Sequence, residues 1–104
     1  MKFEYQLTMG LNDQYTKKQE IETAAAKNLL AKILLQKYGL YAFTMIDCSG
    51  VYTHNDGTVV FENSIRIEIV TDEKINIFGI VRTLKRVFNQ ESIMVKQSRE
   101  AVTF

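Results

Sequence analysis

The chain has no proline and no tryptophan, a single cysteine and a single histidine, and its five glycines stand apart from one another. Without proline, and with no Gly/Ser-rich or low-complexity stretch, nothing in it reads as an interdomain linker. One cysteine excludes an internal disulfide framework and a multi-cysteine zinc centre. Isolated glycines at 10, 39, 50, 57 and 79 leave no Gly-rich loop to cradle a phosphate, so nucleotide fingerprints are missing. An excess of charge of one sign is missing too. Thirteen Lys and Arg face twelve Asp and Glu, which argues against a DNA-wrapping protein and equally against an acidic DNA mimic. The opening MKFEYQLTMG holds no uninterrupted apolar run, so neither a signal peptide nor a membrane span is expected, and the cytoplasm is the expected location. With 104 residues, 46% of them apolar, the expectation is one domain over residues 1–104.

What is present is strong periodicity. Phe3, Tyr5, Leu7 and Met9 alternate with Lys2, Glu4, Gln6 and Thr8, the period-2 pattern of a half-buried strand. Thr16 followed by Gln19 reads as a capping box opening a helix over roughly 17–38. Its stripe is Ile21, Ala25, Leu29 and Ile33, flanked by Ala26, Leu30 and Leu34, and Gly39 is its expected stop. Asn55-Asp56-Gly57 marks a hairpin between arms over 42–54 and 58–71. A two-residue turn at Asp56-Gly57 sets Ile46 opposite Ile67, Cys48 opposite Ile65, and Asp47 opposite Arg66, with a bulge expected at Gly50. A second helix is expected after an N-cap at Thr71 or Asp72, on the spacing of Ile77, Ile80, Val81, Leu84 and Phe88, and a last strand over 92–97. The order βαββαβ is that of the ferredoxin-like α/β plan, an antiparallel sheet with both helices on one face.

Chemistry-bearing residues are sparse. His54 flanks the turn and has no nucleophile in reach, since Cys48 lies six positions back along the strand. Cys48 reads as a small buried hydrophobe among Ile46, Ile65 and Ile67. His54 with Asp56 offers too few ligands for a metal. Glu62 and Glu68 are too far apart on one strand to share a proton, Asp47 faces Arg66, and Glu91 joins them as surface charge. The outward strand faces lack the aromatic residues of an RNA-stacking surface, and Arg82, Lys85 and Arg86 suit a helix C-terminus, so nucleic acid is not an expected partner. Phe43, Met45, Val51, Val60 and Val70 are assigned to the helix-free sheet face. That apolar patch implies an interface, either with further copies of the chain as a dimer or trimer or with a foreign protein.

Four short motifs support a resemblance. Met9-Gly10-Leu11, Gly50-Val51-Tyr52, Glu62-Asn63-Ser64 and the run Phe88-Asn89-Gln90-Glu91-Ser92 resemble a small uncharacterised bacterial and phage family with a Gly-aromatic hairpin and a Phe-x-Gln-Glu-Ser motif. The family's Trp positions are missing here, and the resemblance brings no activity. The long hairpin is also similar in architecture to the trimeric copper-tolerance family of ferredoxin-like proteins. Ten isoleucines, nine lysines and six asparagines suggest an AT-rich genome such as that of a low-GC bacterium or its phages. The expected function is therefore a non-enzymatic, oligomerising protein-binding module without catalytic residues, cofactor or metal. A phage or mobile-element inhibitor of host defence, such as an anti-CRISPR protein, fits that description. The alternative is a ligand- or metal-sensing oligomer of the copper-tolerance kind, and an enzyme stands third.

Overall fold

The structure, a computed structural model, describes residues 2–53 and 55–101, the side chains of 99–101 excepted. Its elements are β1 (Lys2–Gly10), α1 (Thr23–Lys32), β2 (Phe43–Thr53), β3 (Val59–Thr71), α2 (Ile77–Val87) and β4 (Met94–Ala101). The sheet runs β2-β3-β1-β4, with every neighbouring pair antiparallel. This is the ferredoxin-like α+β arrangement that the element order predicts. Tyr5, Leu7 and Met9 of β1 face the helices beside Ile65, Ile67 and Ile69 of β3. Ala26, Leu30 and Leu34 from the first helical segment and Ile77, Ile80 and Leu84 from the second close over them. The Tyr38 hydroxyl donates to the Gly79 carbonyl at 3.0 Å, tying the end of the first segment to α2. Among the described residues no helix is long and apolar enough to cross a membrane.

The first helix starts later than its sequence suggests and turns a different face inward. Asp13 Oδ1 accepts from the backbone N–H groups of Tyr15 and Thr16 at 2.8 and 3.1 Å, and Lys17 takes a positive φ of 62°. Such an Asx turn competes with helix nucleation, so Thr16 opens no helix and α1 begins at Thr23. The inward stripe is Ala26, Leu30 and Leu34, whereas Leu29, expected in the core, is 36% exposed. Beyond α1 the chain continues as a π-helical turn, Ile33–Lys37, and stops at Gly39 with φ +64°, where the sequence places the stop. The second helix is capped by Asn76, whose side chain accepts from Gly79 N–H at 3.1 Å. Asp72 instead pairs with Lys2 at 2.6 Å. The last strand begins at Met94 rather than at Ser92.

The hairpin is out of register by one residue with the sequence expectation. Thr53 pairs with Val59, a register that a two-residue turn at Asp56-Gly57 does not give, and Asp56 Oδ1 accepts from Thr58 N–H at 2.9 Å; His54 lies outside the described residues. A slip of one residue turns every side chain of the strand over. Ile46, not Asp47, stands opposite Arg66; it is 38% exposed. Asp47 faces the helix side and pairs with Lys27 at 3.0 Å. Arg66, without that carboxylate, has a buried Nε that lacks a hydrogen-bond partner among the described residues. Cys48 is half-buried opposite Ser64 rather than packed in the core, and Gly50 pairs regularly with Glu62 without a bulge.

The same slip divides the expected interface set. Phe43 and Met45 are half-buried against the core on the helix side, and Val51 is in phase with them. Val60 and Val70 alternate onto the open face. These five residues therefore share no single face. β1 covers β3 only from Ser64 to Thr71. The segment 59–62 consequently pairs in the ladder with 50–53 alone, forming a two-stranded arm. Val51, Val59 and Phe61 on this arm are exposed, Phe61 by 74%.

Candidate functional site

Two loops meet at the root of the arm. In the first, residues 11–19, Leu11 N–H donates to the Asn63 carbonyl at 2.9 Å, and an isolated bridge joins Asn12 to Gln19. Lys17 N–H donates to the Asp13 carbonyl at 2.9 Å and closes the turn. The second loop follows α2. Asn89 adopts a positive φ of 51°, and Gln90 N–H donates to the Lys85 carbonyl at 2.9 Å. The Gln90 side chain is buried, and its Nε2 donates to the carbonyls of Asn12 at 2.8 Å and Phe88 at 3.2 Å. One buried amide thus satisfies a carbonyl on each loop, which is the condition under which burying it is tolerable.

Between the loops lies a cavity of about 340 Å³, within the usual size of a small-molecule site. Its lining comes from β1 and the loop after it (Gly10, Asn12, Asp13, Lys17), from the arm (Tyr52, Glu62) and from the segment after α2 (Gln90, Glu91, Ser92). Glu62 Oε2 accepts from Asn12 N–H at 3.0 Å. Its carboxylate also lies over Gly10 so closely that a Cβ there would stand 2.5 Å from it. The missing side chain of Gly10 is therefore what admits the carboxylate. Donation from the Asn89 amide, then from Tyr15 and Thr16 N–H, holds the Asp13 carboxyl below the usual carboxylate range. Both Asp13 oxygens are committed to these donors, so Glu62 and Glu91 against Lys17 give the cavity its net acidic character, suited to a cationic ligand. Among the described residues no group of three or more His, Cys, Asp or Glu could hold a metal ion.

Residues from all four motifs of the sequence resemblance line this one cavity: Gly10, Tyr52, Glu62, and Gln90 with Glu91 and Ser92. Sequence reasoning relates carboxylates only along one strand or against a facing base. The pair that converges, Glu62 and Glu91, comes from different elements and shares no sequence spacing. Asn12, Asp13 and Gln14 carry no signal beyond turn composition, because their placement depends on the later loop.

An antiparallel α+β sheet with both helices on one face and an acidic cavity at the root of its β2–β3 hairpin places the chain in the ferredoxin-like class of α+β folds. The model of the S-adenosylmethionine lyase family matches residues 13–104, and the chain belongs to that family. Among solved structures, a phage S-adenosylmethionine lyase in complex with S-methyl-5′-thioadenosine has a TM-score of 0.66 at 25% identity, over 93% of this chain and 80% of that one. A phage S-adenosylmethionine lyase in the apo state gives 0.62 at 27% identity, over 92% and 78%. The GlnK–ATP complex of B. subtilis gives 0.58 at 20% identity, over 93% and 81%, a likeness of fold alone. None of the curated proteins matches the chain in sequence. Family membership overturns two expectations, the non-enzymatic inhibitor of anti-CRISPR type and the absence of an enzyme. The chain has no Gly-rich phosphate loop and no multi-cysteine metal set that would mark a site in its sequence. An acidic cavity assembled from single residues of four segments leaves no such sequence signature.

Proposed function

We propose that the chain cleaves S-adenosylmethionine in this cavity, breaking the bond between the sulfonium sulfur and the γ-carbon of the amino-acid arm and releasing S-methyl-5′-thioadenosine. One observation carries the reading. The motif residues Gly10, Tyr52, Glu62 and Glu91 converge on an acidic cavity, in a family one of whose phage members is seen holding that thioether nucleoside. A second groove, of about 470 Å³, runs along α2, but it is lined by Arg82, Lys85 and Arg86 and repels a sulfonium.

The chemistry asks little of the protein. On cleavage the C–S electron pair moves to sulfur, which leaves as a neutral thioether. The γ-carbon takes its new bond from the substrate's own carboxylate, closing a five-membered lactone. Charge balances without a protein proton, so the paucity of His and Cys is no obstacle. The protein's work is orientation and field: Glu62 and Glu91 hold the cationic substrate, and the Tyr52 ring is a face for the sulfonium. Proton NMR of S-adenosylmethionine with the protein tests this. The S-methyl signal is expected to move from sulfonium to thioether as the lactone appears. Accumulation of S-adenosylhomocysteine, the mark of methyl transfer, overturns the reading.

Gly10→Ala probes the acidic wall. The new Cβ displaces the Glu62 carboxylate, the flexible end of its side chain, and breaks its bond to Asn12 N–H. Turnover is expected to fall by about tenfold or more while the melting temperature moves by only a few degrees. Unchanged turnover removes Glu62 from the site.

We also infer that the chain is a homo-oligomer. Val51, Val59 and Phe61 stand exposed on a two-stranded arm, and such a ribbon is marginal alone in water. Light scattering is expected to return a multiple of 12.0 kDa. A monomer at micromolar concentration contradicts it.

A further inference from the structure

Asn89 lines neither the acidic cavity nor the α2 groove, yet it makes three hydrogen bonds across to the first loop. Its Nδ2 donates to Asp13 Oδ2 at 2.6 Å, its Oδ1 accepts from Gln14 Nε2 at 3.0 Å, and its carbonyl accepts from Gln14 N–H at 3.0 Å. The other Asp13 oxygen is committed to Tyr15 and Thr16 N–H. Each group of the pair therefore has a fixed polarity: Asp13 accepts on both oxygens, and Asn89 must donate to it while accepting from Gln14. The residue after Asn89 is Gln90, which lines the cavity and grips Asn12.

We propose that Asn89 is a positioning residue for the lyase reaction: its clasp with Asp13 and Gln14 sets the separation of the two loops whose side chains form the walls of the substrate cavity. The inference rests on the lyase reading. It goes beyond that reading in assigning a catalytic effect to a residue that touches no ligand, through a hydrogen-bonded pair 76 positions apart in sequence. These bonds, with that of Gln90 to Asn12, tie the two loops to each other, and displacement of reacting groups by about 1 Å costs on the order of 10²-fold in rate.

The polarity of the clasp supplies its test. Asn89→Asp keeps a side chain that tolerates positive φ but sets two carboxylates against each other. Asp13→Asn sets two amide donors against each other. The double variant D13N/N89D restores one donor and one acceptor in reversed order, and the carboxylate introduced at position 89 can still accept from Gln14. Each single variant is expected to lose about 10²-fold in kcat with a much smaller change in KM, and the double variant to recover to within about fivefold of wild type. Single variants that melt lower but keep wild-type kcat in the folded protein, or a double variant no better than the singles, overturn the proposal.

Amide exchange at Gln14 N–H reads the clasp without turnover. Protection is expected to be lost in each single variant and regained in the double. If wild-type protein leaves S-adenosylmethionine intact while this exchange pattern holds, the lyase reading fails and the clasp stands. If turnover occurs and the pattern is absent, the clasp fails alone.

Discussion

Glu62→Gln is expected to lower kcat/KM for S-adenosylmethionine cleavage by about 10²–10³-fold, the cost typical of losing one preorganised electrostatic contact in an enclosed site. The substitution keeps the size of the side chain and its acceptor toward Asn12 N–H, so packing over Gly10 is preserved and only the charge goes. The melting temperature should stay within a few degrees of wild type. Glu68→Gln is the control. It lies on the same strand and the same face but opposite Gln6 and Thr44, away from the cavity, and should leave turnover within twofold. Steady-state release of S-methyl-5′-thioadenosine by both variants decides the matter. Equal loss in the two points to a general effect of negative charge, and no loss in either removes the acidic wall from the account.

Leu30→Asp is expected to unfold the protein, and Leu29→Asp to leave it folded. Leu30 is fully buried between β1, β3 and α2, whereas Leu29 is 36% exposed. Loss of the leucine alone costs about 2–5 kcal/mol, and an unpaired buried carboxylate adds to that. The total stands against a stability of about 5–15 kcal/mol for a domain of this kind. Circular dichroism at 25 °C should show a cooperative melt for Leu29→Asp and none for Leu30→Asp. The reverse result places the other stripe of α1 inward.

These two substitutions mark where the sequence is and is not legible. Element order, the period-2 pattern of β1 and the stop at Gly39 follow from local chemistry, and with them the ferredoxin-like arrangement. The choice between neighbouring stripes of α1 does not, because Leu29 and Leu30 are equally apolar and only packing against α2 and the sheet selects one. The hairpin expectation missed by one residue: a two-residue turn at Asp56-Gly57 sets Thr53 opposite Val60, whereas Thr53 stands opposite Val59. That single step reversed the faces of Ile46, Asp47 and Cys48. The apparent match of Asp47 with Arg66 illustrates how weak one charge pair is as evidence for register. Asp47 found Lys27 on a helix instead.

The site was legible only in pieces. Gly10, Tyr52, Glu62 and Glu91 each lie in a motif that the sequence singles out, yet nothing in the spacing shows that β1, the hairpin and the segment after α2 end at the same place. The sheet order supplies that information. β3 is hydrogen-bonded to both β1 and β2, which brings Glu62 over Gly10 and beside Tyr52. Gln90, through its bond to Asn12, then holds Glu91 at the same cavity.

A crystal structure of the protein with S-methyl-5′-thioadenosine tests the central claim most directly. The nucleoside is expected in the cavity between Asn12–Gln14 and Gln90–Ser92, with its thioether sulfur against Tyr52 and Glu62. A nucleoside bound elsewhere, as in the cationic groove along α2, contradicts it.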